Sequence, residues 1–407
     1  MVGSLSHIRV LDMSRILAGP WASQVLADLG AEVIKIERPG SGDDTRGWGP
    51  PFLKDAQGND TNNAAYFAAA NRNKKSVTID FTTTQGQDLI RQLACKSDII
   101  LENYKVGGLA KYGLDYEGIK AIKPDIIYCS ITGFGQNGPY ANRVGYDAAI
   151  QAMSGLMSIT GNPDEKLGGK PMKVGFAVSD VLTGLYAAIG ILAALTHKER
   201  TGQGQHIDLS LLDVQVAALA NQALNYLSSG VAPVRQGNAH PNIVPYQAFA
   251  TSDGHVMLAV GNDDQFARFC DIAGHPQLAK TLCYKTNAER VRNRAKLIPE
   301  LQKIIAQHPT HWWSSQLEKA GIPCGPINTI DQVFEDPQIK HREMKISTEG
   351  ENGRTIPGVA CPIQLSQTPP SYHAPPPELG ADTQSVLENL IGASQSDIDA
   401  WKKLGIT

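Results

Sequence analysis

What the sequence lacks narrows its chemistry before any motif is considered. Its six cysteines, Cys95, Cys129, Cys270, Cys283, Cys324 and Cys361, are scattered without C-x-x-C spacing, which argues against a zinc site or a disulfide framework and for buried thiols. The ten histidines form no H-E-x-x-H or similar pattern, so no metal is expected. Neither a Walker-type phosphate loop nor a G-x-S-x-G elbow occurs, and no internal repeat or low-complexity tract appears. An excess of charge is missing too. With 37 Lys and Arg against 40 Asp and Glu the formal net charge is −3, so nothing in the composition attracts nucleic acid or an anionic membrane. Any anionic ligand must be held by local basic residues. The first dozen residues carry no charged segment leading into an apolar one, and no uninterrupted apolar span reaches membrane length. A cytoplasmic protein is the expectation.

What is present is a regular alternation. Residues 8–13 read as a short buried strand, 21–29 as a helix ended by Gly30, and 31–37 as a second strand, a compact βαβ unit. Strands over 77–81, 98–102, 125–132 and 206–211, with helices over 84–95 and 116–122, continue the series and predict an α/β fold with a doubly wound, mostly parallel sheet. From about Ser228 this rhythm is lost. A linker leads to a hairpin, 248–251 and 255–260 around Asp253-Gly254, and then to helical segments over 264–273, 288–305 and 312–320, with Pro299 expected to break or bend the second. The organisation expected is a large Rossmann-like domain over 1–227, a small α+β domain over 228–330, and a segment over 331–407 that returns to the large domain with a helix at 383–391.

Two local features invite a functional reading. Gly133-Phe-Gly135-Gln-Asn-Gly138 follows a predicted strand and matches the dinucleotide fingerprint literally. What comes next, Pro139-Tyr-Ala-Asn-Arg143, is no apolar helix for a pyrophosphate to cap, so NAD or FAD is not expected. Asp180 stands alone where an apolar run from Val181 to Leu195 begins. A carboxylate there is an N-cap, a nucleophile kept ionised by the helix dipole, or both. Basic residues also recur beside the predicted strands: Arg38 after the second, Arg72, Lys74 and Lys75 before the third, Lys105 and Lys111 after the fourth. Singly each reads as a solvated side chain; as a set they suit phosphates at the rim of an open sheet.

Several longer stretches carry a family likeness. Val10-Leu-Asp-Met-Ser-Arg-Ile-Leu-Ala-Gly-Pro20, the run from Gly30 to Asp43, Asn71-Arg-Asn-Lys-Lys-Ser76, Glu102-Asn-Tyr104, Gly133-Phe-Gly135, the run from Lys198 to Gln205 and Ile207-Asp-Leu209 resemble, in that order, the class III CoA-transferases, the CaiB/BaiF family. The resemblance spans essentially the whole chain. It implies a large CoA-binding domain, an interlocked ring-like homodimer, acyl-CoA and small carboxylates as substrates, and no cofactor beyond the CoA thioester itself. Carried over by position, it makes Asp180 the catalytic nucleophile and places Leu17, Ala18, Arg38, Arg72, Lys75, Asn103, Tyr104 and Lys111 around CoA, with Tyr146 beside them.

The α-methylacyl-CoA racemases of the same family pair the aspartate with a histidine in Gly-His-Asp, where this chain has Gly145-Tyr146-Asp147. A phenol with a pKa of about 10 is a poor substitute for imidazole in proton exchange, so transfer is favoured and Tyr146 otherwise reads as a core aromatic. A non-catalytic acyl-CoA-binding protein is the other alternative. Leu17, and Gly237-Asn-Ala-His-Pro-Asn242 in place of a glycine run, depart from the formyl-CoA:oxalate transferases. The latter loop and Pro245-Tyr-Gln247 resemble the branch that uses succinyl-CoA and dicarboxylates such as glutarate. The expected chemistry runs through an aspartyl anhydride and an aspartyl-CoA thioester, with oxyanion donors among the amides at the start of the Asp180 helix or in the 237–242 loop. Arg235 or His240 is expected to hold the far carboxylate, and Trp48 to pack over the CoA arm.

Overall fold

The computed structural model describes residues 3–55, 57–350 and 355–407. The chain divides into two compact units, one of Met1–Leu156, Val174–Leu224 and Pro337–Thr407, the other of Met157–Lys173 and Asn225–Asp336.

In the first unit six strands, β1 (Arg9–Asp12), β2 (Glu32–Glu37), β3 (Lys74–Thr78), β4 (Ile99–Glu102), β5 (Ile127–Thr132) and β6 (His206–Ser210), lie in the order β3-β2-β1-β4-β5-β6, every neighbouring pair parallel. The order reverses between β1 and β4, where doubly wound sheets open a crevice at the carboxyl ends of their strands. Alternate residues serve opposite faces. Val10, Val33, Leu101, Ile127 and Ile131 pack in one core with helices α1 (Ala18–Asp28) and α5 (Val178–Thr201). Leu11, Ile34, Val77, Ile100 and Tyr128 pack in a second core with α2 (Thr84–Cys95), α3 (Tyr116–Ile122) and the C-terminal helix Thr383–Ile391. The remaining helix that matters below, α4 (Asp147–Met153), follows β5.

Burial of both faces explains why these strands read as continuous apolar runs. It also explains a miss. β3 starts at Lys74 and not at Val77, because Lys74 is a strand residue whose ammonium is buried on Asp12 and two carbonyl-type acceptors, a pairing no hydropathy pattern reveals. The C-terminal segment clamps that edge strand: Ser76 N donates to Asp382 Oδ2 at 2.9 Å and Thr78 N to Thr383 Oγ1 at 3.0 Å. The 24-residue α5 has a stretch of mean hydropathy 1.8 and is long and apolar enough to cross a membrane, against the expectation that no span reaches that length. One face of it packs in the core, with Ala187, Ile191 and Ala194 against the sheet and Gly184 so close to α1 that an added Cβ would stand 2.6 Å from the Ala18 carbonyl oxygen.

The second unit contains the anticipated hairpin, Tyr246–Ala250 with His255–Ala259, extended by Cys324–Pro326 into a three-stranded antiparallel sheet. Phe249, Leu258, Phe266, Phe269, Leu301 and Trp313 form its core. Two expectations need correction. The predicted helix over 288–305 breaks at Asn293, whose side chain donates to Glu289 O and Cys283 O, while Pro299 stays inside the helix Arg294–Ile305. Residues 157–173, counted with the large domain from sequence, belong to this unit, tied in by Gly237 N to Gly161 O at 3.0 Å and by Arg235 Nε to Asn162 O at 3.2 Å.

Candidate active site

A helix that feeds a parallel strand begins at the carboxyl edge of the sheet, so α5, which leads into β6, starts where the crevice opens. Asp180 lies in the first turn of α5. It does not cap the helix: the N-cap is Ala177, which makes no side-chain cap, and the free amides are taken by a carboxylate from elsewhere. Asp147 Oδ1, at the start of α4, accepts from Ser179 N at 2.8 Å and from Asp180 N at 3.4 Å, and its Oδ2 accepts from Gln151 Nε2 at 2.6 Å. Gln151 Oε1 in turn accepts Val174 N at 2.8 Å, and Ser179 Oγ donates to Gln215 Oε1 at 2.8 Å. The start of α5 is therefore bolted down from three sides, and the amides expected to receive an oxyanion are already engaged by Asp147.

The same arrangement reverses the electrostatic expectation. Burial, and then the like charge of Asp147, push the Asp180 carboxyl up to about 7, so the helix terminus does not hold it at an ordinary carboxylate value. Tyr66 shares this environment: burial raises its phenol, and Asp180 and Asp147 raise it further. Trp48, 45% exposed, meets Tyr66 edge-on with ring centroids 5.2 Å apart. Tyr66 and Asp147 were missed as site residues; Asp147 was visible only as the third letter of the Gly145-Tyr146-Asp147 triplet. Tyr146 itself is 66% exposed, so the expectation of a core aromatic fails.

The first glycine of the literal fingerprint is required by packing. Gly133 and Gly145 cross with their α-carbons in contact; a Cβ on Gly133 would lie 2.6 Å from Gly145 Cα. That crossing delivers Tyr146 and Asp147 to the end of α5.

A second part of the site lies at the ends of β1 to β4. Arg38, Arg15, Tyr104, Phe81 and Thr82 line a cavity of about 90 Å³ at the carboxyl ends of the strands. The Arg15 guanidinium stands 5.7 Å from the Tyr104 ring, Phe81 meets Tyr104 and Tyr112 edge-on, and Lys111 sits 4.6 Å over Tyr112, so an aromatic chain links Lys111 to the cavity wall. Asn103 works from behind: its side chain accepts Arg15 N at 2.9 Å and donates to Arg15 O at 2.7 Å. Leu17 and Ala18 are buried at the start of α1, which has no side-chain cap, and the preceding Ile16 is held at φ 70° with its N–H on the Asp43 carboxylate. A β-branched residue in that region is strained, and such strain collects at functional loops.

Beneath this loop lies a network that sequence reading did not find. Lys35 donates to Asp43 at 2.9 Å and to Ser14 O at 3.0 Å; Asp12 receives Ser14, Ser23 and Lys74; Glu37 receives Arg46. Burial alone would lift Asp43, but Lys35 and the Thr45 amide hold it at about 2, and burial alone would depress Lys35, but Asp43, Asp12 and Glu37 raise it to about 12.

Four assigned residues are occupied elsewhere. Because β3 starts early, Arg72 and Lys75 fall at the amino-terminal end of the strand: Arg72 is buried in a two-pronged pair with Asp28, and Lys75 pairs with Glu32 at 2.7 Å. Neither lines the cavity that holds Arg38 and Tyr104. In the second unit Arg235 is ion-paired with Asp164, and His240 stacks on Tyr246 at 5.1 Å while its Nδ1 accepts Asn242 N at 3.1 Å. Neither is a free cation poised for a carboxylate.

With this geometry in place, comparison with known proteins is informative. The family model described as CoA-transferase family III matches residues 5–383. A succinate–glutarate CoA-transferase of Agrobacterium fabrum is 51% identical over 390 residues, 95% of each chain. A human succinyl-CoA:glutarate CoA-transferase is 45% identical over 391 residues, 95% of this chain and 86% of that protein. A crystal structure of a CAIB/BAIF family protein from Brucella suis, 48% identical, superposes with a TM-score of 0.83 over 96% of this chain and all of that one (100%).

Proposed function

Since the chain belongs to CoA-transferase family III and is an enzyme of that family, we propose that it moves CoA from succinyl-CoA to a dicarboxylate such as glutarate, with Asp180 as nucleophile. The observation that carries this reading is the partly buried Asp180 in the first turn of α5, with no ion pair among the described residues, in the same unit as a cavity lined by Arg15, Arg38 and Tyr104. The names of the relatives support the choice of donor and acceptor.

The ionised Asp180 carboxylate attacks the thioester carbonyl, the C–S bond breaks, and CoA thiolate leaves behind a succinyl-aspartyl anhydride. The thiolate attacks the aspartyl carbonyl, releasing succinate and forming an aspartyl-CoA thioester. The acceptor carboxylate attacks that thioester, giving a new mixed anhydride and thiolate again, and the thiolate takes the acceptor acyl group and frees Asp180. Each intermediate is about as activated as a thioester, so no step discards that energy to water. The reading includes an interlocked homodimer in the cytoplasm; the exposed Leu227, Val231, Val234 and Ile330 of the second unit support a partner chain, and light scattering on the purified protein tests it.

Incubation with succinyl-CoA and a panel of free carboxylates, followed by mass spectrometry, tests the function. Glutaryl-CoA is the expected new thioester; absence of any acyl exchange across the panel overturns the proposal. A carboxyl titrating near 7 would also suit proton exchange, the racemase alternative, and deuterium appearing at the α-carbon of a 2-methylacyl-CoA without any acceptor is the result that favours it.

A further inference from the structure

On the sheet face opposite α5, Glu102 ends β4 with 6% of its surface exposed and, among the described residues, no ion pair. Its Oε2 accepts the backbone N–H of Tyr104 at 2.7 Å, and Ser130 of β5 hydrogen-bonds the same carboxyl. Ser130 Oγ stands 2.9 Å from His206 Nε2, and the His206 ring stacks on Tyr116 at 4.7 Å. These groups line a cavity of about 160 Å³ of their own. A buried carboxyl without a counter-charge disfavours the fold, so what it holds in place is informative. What it holds is the turn that carries Tyr104 into the basic cavity.

We propose that Glu102 is a positioning residue for CoA recognition, fixing the Tyr104 turn so that the ring forms, with Arg15 and Arg38, a ready-shaped seat for the nucleotide end of the acyl-CoA. Ser130 and His206 hold the Glu102 side chain from the other side. The inference rests on the reading of that cavity as the CoA seat.

The test compares succinyl-CoA with succinyl-pantetheine, which lacks the nucleotide, and adds calorimetric titration with CoA. Glu102→Leu leaves the Tyr104 N–H without its acceptor, and KM for succinyl-CoA is expected to rise about tenfold with kcat within about twofold, while KM for succinyl-pantetheine stays unchanged. Glu102→Gln keeps an acceptor oxygen and should return KM for succinyl-CoA to within about twofold of the parent. Equal losses on both donors, no loss on succinyl-CoA, or failure of Gln to rescue overturns the inference. Should Glu102→Leu not fold, Ser130→Ala and His206→Gln carry the same comparison, with a loss of about threefold confined to the CoA donor. A parent protein that does not bind CoA overturns the functional reading and this inference with it; intact CoA binding with unaffected variants overturns this inference alone.

Discussion

Two clusters of acidic residues, one buried and one half-buried, occupy the carboxyl edge of one sheet, and they are built oppositely. Under the Ser14–Ile16 loop, Asp12, Asp43 and Glu37 each face a Lys or Arg, and Asp43 is held at about 2. At the start of α5, Asp147 accepts the Asp180 N–H, neither carboxylate has an ion pair among the described residues, and Asp180 is pushed to about 7. Pairing with a cation holds a carboxylate ionised and fixed in the structure; burial beside a like charge leaves one that takes up a proton near neutral pH, as groups at functional sites do.

The largest expected effect falls on the unpaired cluster. Asp180→Asn should lower kcat by at least about a thousandfold in the transferase assay while CoA titration is preserved. The same substitution should raise the melting temperature at pH 8. The Asp180 carboxyl titrates higher folded than unfolded, so its contribution favours the fold at low pH and turns against it as pH rises through about 7. An enzyme that loses activity and stability together would contradict the distinction drawn here.

The paired cluster should answer in the other currency. Lys35→Met strands Asp43 in the interior and should cost roughly 3–5 kcal/mol in urea unfolding. Because Asp43 titrates lower folded than unfolded, its stabilisation is complete above about 4 and disappears as pH falls through about 2, the reverse of Asp180. A smaller change sharpens the contrast. Asp147→Asn removes the like charge but can keep an acceptor for Ser179 N, and should move the acid limb of kcat/KM, near pH 7 in the parent, down by about one unit. Smallest of all, Lys75→Gln at the opposite edge should change stability by less than about 1 kcal/mol and leave KM for succinyl-CoA unaltered; a clear rise in KM would return Lys75 to the CoA site.

The parallel sheet, the small-unit hairpin and the helix at 383–391 were legible because period and turn residues determine them locally. Asp180, Arg38 and Tyr104 were singled out through the family resemblance, and the structure puts Arg38 and Tyr104 on one cavity wall. What could not be read were partnerships between distant residues. Nothing near Arg72 announces Asp28, and nothing near Lys74 announces Asp12, yet these pairs decide that one is buried structure and that β3 begins early. The capping of α5 was misread for the same reason: an Asp before an apolar run is a sound local N-cap prediction, and it was displaced by Asp147, which arrives from another helix.

The touching α-carbons of Gly133 and Gly145 have a consequence for anyone who would redesign acceptor choice. Trp48, 45% exposed, is open to libraries. The crossing is not: alanine at either position must push Asp147 away from α5, and with it the setting of the nucleophile. A family of engineered acceptor preferences can be drawn around that point, provided the alphabet there keeps its single letter.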